Sequence, residues 1–237
     1  MRRYLIVDDN AAFAENLGEI VSDRGGEVVL AENGEAALRL VGHSRFDVVV
    51  TDMRMPFMNG AELVHRVRRL DPGLAAIVVT AYVRDNEIEA ARQEGLLATF
   101  PKPVPIGRLL DLLERARRDG VAVVVEDDAA LCENLCEALR GRGFAAVAAG
   151  SVLETERLGP IRPFCALVDL RVPGGPAGAA MRELSTKFPK LPMLIVTAYP
   201  DAPPLPHAAF FAKPFDTAAL LAEVEKHHAR QGCAEGA

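Results

Sequence analysis

Short apolar runs alternate with amphipathic stretches along the whole chain. In the first half, residues 4–7, 27–31, 47–51, 75–79 and 98–100 read as strands. The third and fourth runs are apolar without alternation, the pattern of strands covered on both faces of a parallel sheet. Between the runs, Phe13, Leu17, Ile20 and Val21 fall on one helical stripe, as do Leu109, Leu112, Leu113 and Ala116. Asn33-Gly34-Glu35 and Asn59-Gly60 stand where helices should start. In the second half, 121–125, 145–149, 165–168, 191–196 and 208–211 predict another set of strands. Five strands alternating with five helices make an open, doubly wound α/β sheet.

The two halves are copies. Displaced by 118 residues, positions 7–25 lie over 125–143 with ten of nineteen residues identical. Two such copies use up the 237 residues. A solenoid has units of roughly 20–50 residues, so this period marks tandem globular domains, 1–118 and 119–237. Asp119-Gly120 is the one visible break after Arg117-Arg118, so the domains should abut in a limited range of orientations.

Composition narrows the classes. With 27 basic against 33 acidic side chains the formal charge is −6, which argues against nonspecific nucleic-acid or anionic-membrane binding. No apolar run is long enough to span a bilayer, and Asp8 interrupts any signal-peptide core. Four cysteines without a C-x-x-C pair make neither a disulfide framework nor a zinc site. A soluble, cytoplasmic protein is expected.

In a doubly wound sheet, ligands bind beyond the carboxyl ends of the strands. Those ends carry, in the first copy, Asp8-Asp9, Asp52, Thr80 and Lys102, and in the second Glu126-Asp127, Asp169, Thr197 and Lys213. From the central Asp to the Thr is 28 residues in both copies. Three convergent carboxylates repel one another unless a cation sits among them, and hard oxygen ligands suit Mg²⁺. A metal, an ammonium and a hydroxyl around a carboxylate are what a phosphoryl group needs, and the Asp at the end of the buried third strand is the natural nucleophile. Each feature alone is commonplace: Asp-Asp after a strand is ordinarily a helix cap. Four in strand order, twice, are not.

These residues, with the motifs "VDDN", "TDMRMPFMNG", "VTAY" and "PKPV", resemble the receiver domains of two-component response regulators, CheY-like proteins, over nearly the whole chain. The resemblance implies two flavodoxin-like (βα)5 domains with strand order 2-1-3-4-5. It also implies phosphoryl transfer from a histidine kinase or a His-phosphotransfer protein to Asp52 and Asp169. Asp9 and Asp127 would contact Mg²⁺ directly, Asp8 and Glu126 through water, and the backbone carbonyls of Arg54 and Arg171 would complete its protein ligands. Thr80, Thr197, Lys102 and Lys213 would bind phosphoryl oxygens, with Ala81 and Ala198 leaving the acyl phosphate accessible.

Two departures bear on readout. The aromatic switch position, three before the Lys, is Thr99 in the first copy and Phe210 in the second; Phe100 is expected to fill core. From Thr to Lys is 22 residues in the first copy but 16 in the second, where 200–206 holds four prolines. A fourth helix is expected at roughly 84–94 and should be missing from the second copy, since proline removes a donor and clashes with the preceding turn. Cys132 and Cys136 read as buried packing, and His227-His228 as an exposed helix end rather than a phosphorelay histidine.

The expected function is that of a stand-alone tandem receiver, without a DNA-binding output, signalling to a downstream protein. The fourth helix–fifth strand–fifth helix face of domain 1 is the surface through which a homodimer would form. Its chemistry would be limited to self-catalysed phosphoryl acceptance and autodephosphorylation, so it is not expected to be an enzyme. The rival is an interaction scaffold in which one copy, the second before the first, never switches. A Mg²⁺-dependent phosphatase is disfavoured because Asp52-Met53-Arg54 has Arg where D-x-D would be needed.

Overall fold

A computed structural model describes residues 1–81, 86–199 and 207–234. The chain divides into two compact units, Met1–Asp119 and Gly120–Ala237. The first runs β1 (Arg3–Val7), α1 (Ala11–Ser22), β2 (Glu27–Ala31), α2 (Gly34–His43), β3 (Val48–Asp52), α3 (Gly60–Leu70), β4 (Ala75–Thr80), α4 (Asn86–Gln93), β5 (Ala98–Pro101) and α5 (Ile106–Arg115). The second runs β6 (Val121–Val125), α6 (Ala129–Gly141), β7 (Ala145–Ala149), α7 (Val152–Glu156), β8 (Pro163–Val168), α8 (Ala179–Lys187), β9 (Met193–Thr197), β10 (Ala209–Ala212) and α9 (Thr217–Ala234).

Each unit is one five-stranded parallel sheet, ordered β2-β1-β3-β4-β5 and β7-β6-β8-β9-β10, the doubly wound order 2-1-3-4-5 twice. Every residue of β3, β4, β6, β8 and β9 is buried, as non-alternating runs require when helices cover both faces. The first core gathers Leu5, Val49, Leu63, Val67 and Val78, the second Val124, Leu135, Leu139, Leu167 and Leu220.

Local chemistry sets the helix starts. Asn10, Asn33 and Asn59 cap α1, α2 and α3 by accepting from the amides of Phe13, Ala36 and Glu62. Asp128 and Ser151 do the same for α6 and α7. Asp52 and Thr80 are the last residues of their strands, so these two side chains are placed by sheet register rather than by loops.

α4 occupies the expected region, a residue or two shorter at each end. The proline-rich stretch at 200–206 lies outside the described residues; among those described, no helix stands between β9 and β10. Cys132, Cys136 and Cys165 are free and buried. One expectation fails: His227 and His228 are half-buried, not an exposed helix end. The His228 ring packs edge-on against Phe144 and Phe164, with centroids 5.2 and 5.0 Å away. α9 is thus packed against Phe144 and Phe164 as far as His228, where sequence pattern suggested a solvated end.

Arg68 was equally unforeseen. It closes α3 among basic residues, yet its side chain is fully buried. Its guanidinium donates to the carbonyls of Pro72, Leu74, Glu94 and Gly95, tying the end of α3 to the turn that follows α4.

Candidate phosphoryl-acceptor pockets

The ends of β1, β3 and β5 bring Asp8, Asp52 and Lys102 together. The Lys102 ammonium lies 2.9 Å from Asp8 Oδ2 and 3.0 Å from Asp52 Oδ1. Asp8 is 2% and Asp52 9% exposed, while Asp9 faces solvent. Asn10 fixes Asp8, its backbone amide donating to Asp8 Oδ1 at 2.9 Å. The Lys102 amide donates to the Thr80 carbonyl at 2.8 Å, so the ends of β4 and β5 are paired at the two residues that carry the hydroxyl and the ammonium. Lys102 also stands 4.6 Å from the centroid of the Phe13 ring, a positioning contact that the sequence did not announce. The matching residue of the second copy, Leu131, has no π face to offer.

The second pocket reproduces the first. Lys213 lies 2.6 Å from Glu126 Oε2 and 2.7 Å from Asp169 Oδ2. Thr197 Oγ1 donates to Asp169 Oδ1 at 3.0 Å, and the Arg171 amide to the same oxygen at 3.1 Å. Glu126, Asp169 and Thr197 are buried and Asp127 is exposed. The longer arm of Glu126 therefore reaches the Lys as Asp8 does. Arg54 and Arg171 lie exposed two residues beyond each acceptor, and the Arg171 guanidinium stacks 3.7 Å over the Tyr199 ring.

The field of both pockets is negative. Burial pushes the Asp52 carboxyl above its usual range; Lys102 pulls it back, and the Asp8 charge adds to the rise. Burial likewise raises Glu126 against the pull of Lys213. Both lysines end above their ordinary value: burial opposes their charge, but the two carboxylates bonded to each outweigh it. A divalent cation fits this arrangement. Asp8, Asp9 and Asp52 offer oxygens all within 4.8 Å of one another, as do Glu126, Asp127 and Asp169. One ammonium against three carboxylates leaves two negative charges in each pocket, the charge of one divalent ion, and an all-oxygen donor set suits Mg²⁺.

Readout residues are placed differently in the two units. Phe100 is buried and fills core as expected, beside a half-buried Thr99, whereas Phe210 is 37% exposed. Ala81 and Ala198 are exposed beside their threonines.

A parallel 2-1-3-4-5 sheet with an acid pair, a buried Asp, a Thr and a Lys at its strand ends defines a receiver domain. The sequence pattern of the response regulator receiver domain matches residues 4–114. A response regulator receiver protein of Anaeromyxobacter sp. (strain Fw109-5) is 64% identical over 232 residues, 98% of each chain. The chain belongs to the response regulator receiver family. It is also similar to sporulation initiation phosphotransferase F of Bacillus subtilis (strain 168), with 33% identity over 113 residues, 48% of this chain and 91% of that protein. Among solved structures, the CheY-like receiver domain protein of Methanospirillum hungatei JF-1 aligns with a TM-score of 0.47 and 30% identity, covering 48% of this chain and 91% of its own.

Proposed function

We propose that this protein is a tandem receiver that takes a phosphoryl group from a histidine kinase or a His-phosphotransfer protein onto Asp52, and a second onto Asp169, and signals through protein contacts. The observation that carries this reading is the twice-built bridge in which one lysine ammonium bonds both the first acid of the pair, Asp8 or Glu126, and the acceptor. An Asp52 oxygen attacks phosphorus in line, the phosphorus–nitrogen bond of the phosphohistidine breaks, and an acyl phosphate remains on the aspartate. Lys102 and Thr80 hold the phosphoryl oxygens in the first pocket, Lys213 and Thr197 in the second. When bound, Mg²⁺ neutralises the charge that develops on those oxygens; Asp8, Asp9 and Asp52 would hold it in one pocket, and Glu126, Asp127 and Asp169 in the other, with the carbonyls of Arg54 and Arg171. We place the protein in the cytoplasm: its net charge is −6, and no described helix is long and apolar enough to cross a membrane.

On this reading the protein is an acceptor, not an enzyme with turnover. Incubated with Mg²⁺ and a small phosphoryl donor such as phosphoramidate, it takes up label on Asp52 and Asp169 and none without the metal, while a simple phosphate ester is not hydrolysed repeatedly. Label confined to Asp52 would favour the alternative, a second copy that serves only as an adaptor. Steady turnover of the ester would favour a phosphatase.

A further inference from the structure

Phe57 stands where the backbone asks for glycine. In the loop between β3 and α3, the Met58 amide donates to the Pro56 carbonyl at 2.9 Å across a Phe57 whose φ is +70°. A three-residue turn at positive φ is the strained one of the two γ-turns, and a bulky side chain rarely occupies it. Five residues after the acceptor of the second unit, the equivalent position has φ +99° and holds Gly174. The chain therefore contains its own comparison: one loop position and one left-handed backbone, with glycine in one unit and phenylalanine in the other.

Packing within the unit does not offset this strain. Phe57 is fully exposed, while Met55 and Met58 on either side are buried and anchor the loop. Isolated exposed apolar residues are common and mean little by themselves. A bulky one kept on a strained backbone is another matter, because such outliers persist where they serve a function. The other described non-glycine residues at positive φ, Asp119 and Lys190, are polar residues in turns.

The loop is pinned to the acceptor. The Gly60 amide donates to the Met53 carbonyl at 2.8 Å, and a β-carbon at Gly60 would meet the Asp52 carbonyl oxygen at 2.5 Å. Phe57 lies five residues along the chain from Asp52, hence within about 18 Å of it, on the strand-end rim that carries the pocket. A macromolecule that brings a phosphohistidine into line with Asp52 must cover this rim, and an exposed aromatic that becomes buried is the usual anchor of such a contact.

Resting on the acceptor reading above, we propose that Phe57 is the docking anchor for the histidine-bearing donor protein. It would seat in an apolar depression beside the phosphohistidine and direct that donor to the first pocket rather than the second, where the equivalent loop position holds Gly174. A small donor has no such surface and should be indifferent to residue 57.

Transfer rates to the full chain, its Phe57→Gly variant and its Phe57→Tyr variant test this. The donors are a panel of autophosphorylated cytoplasmic fragments of histidine kinases, and the member fastest on the unaltered protein is used. Phe57→Gly should receive phosphoryl at least about tenfold more slowly, Phe57→Tyr should keep most of the rate, and phosphoramidate should label all three alike. Phe57→Gly should also melt no lower than the unaltered protein, since glycine relaxes the turn; a purely structural Phe57 would give a lower melting point. Unchanged transfer to Phe57→Gly overturns the proposal, as does a panel in which no member labels Asp52. Self-association lost in Phe57→Gly with transfer intact also overturns it, and assigns the side chain to a second copy. Failure of phosphoramidate to label the unaltered protein removes the acceptor reading itself, and the proposal with it.

Discussion

Asp52→Asn loses phosphoryl acceptance at the first pocket while Asp169 continues to accept, Asp169→Asn does the reverse, and the double variant accepts none. An amide has nearly the shape of the carboxylate and can still accept from Lys102, so the fold and the pocket persist. What it lacks is the anionic oxygen that must form the new bond to phosphorus. Loss of the nucleophile should lower labelling at the altered site by about a thousandfold or more. Lys102→Ala keeps the nucleophile but removes the ammonium that lies 3.0 Å from it, a donor whose loss is worth on the order of a hundredfold. Peptide mapping of the labelled variants reads each site separately. Label that stays on the first unit in Asp52→Asn would mean that another side chain is the acceptor.

Arg68→Met should be the most damaging single change outside the pockets. Burial pushes the guanidinium down to about 10, so it is still charged at neutral pH. It is tolerated because its donors meet four main-chain carbonyls, on Pro72, Leu74, Glu94 and Gly95. Methionine fills much of the volume but leaves those carbonyls without the guanidinium, at about 1–3 kcal/mol for each acceptor that finds no substitute. A total of about 3–5 kcal/mol is expected, and calorimetry should show the melting transition of the first unit lowered by more than about ten degrees. A shift of only one or two degrees would show that water or local rearrangement satisfies the carbonyls. Because Arg68 holds the turn between α4 and β5, loosening it should also free the end of α4 from α3.

The contrast between Asp52 and Arg68 shows what was legible in the sequence. Strands buried on both faces declare themselves as unbroken apolar runs, and β2, β6 and β7 lie within the expected bounds. The pockets were legible because each site residue is tied to a strand end, so register alone assembles Asp8, Asp52, Thr80 and Lys102. Arg68 was not, because its partners lie as far as 26 and 27 residues away and a basic helix end reads as solvated. His228 was misread for the same reason: its packing against Phe144 and Phe164 is tertiary and leaves no periodic trace. Phe57 was invisible for a different one, since a sequence does not print φ, and only the backbone shows that Phe57 and Gly174 share a positive φ.

Fluorine NMR of the protein with Mg²⁺ and fluoroberyllate, a phosphoryl mimic that requires an acceptor carboxylate, tests the two-pocket account most directly. Two sets of bound-fluoride signals should appear, one vanishing in Asp52→Asn and the other in Asp169→Asn. A spectrum containing only free fluoroberyllate, at saturating Mg²⁺, would contradict it.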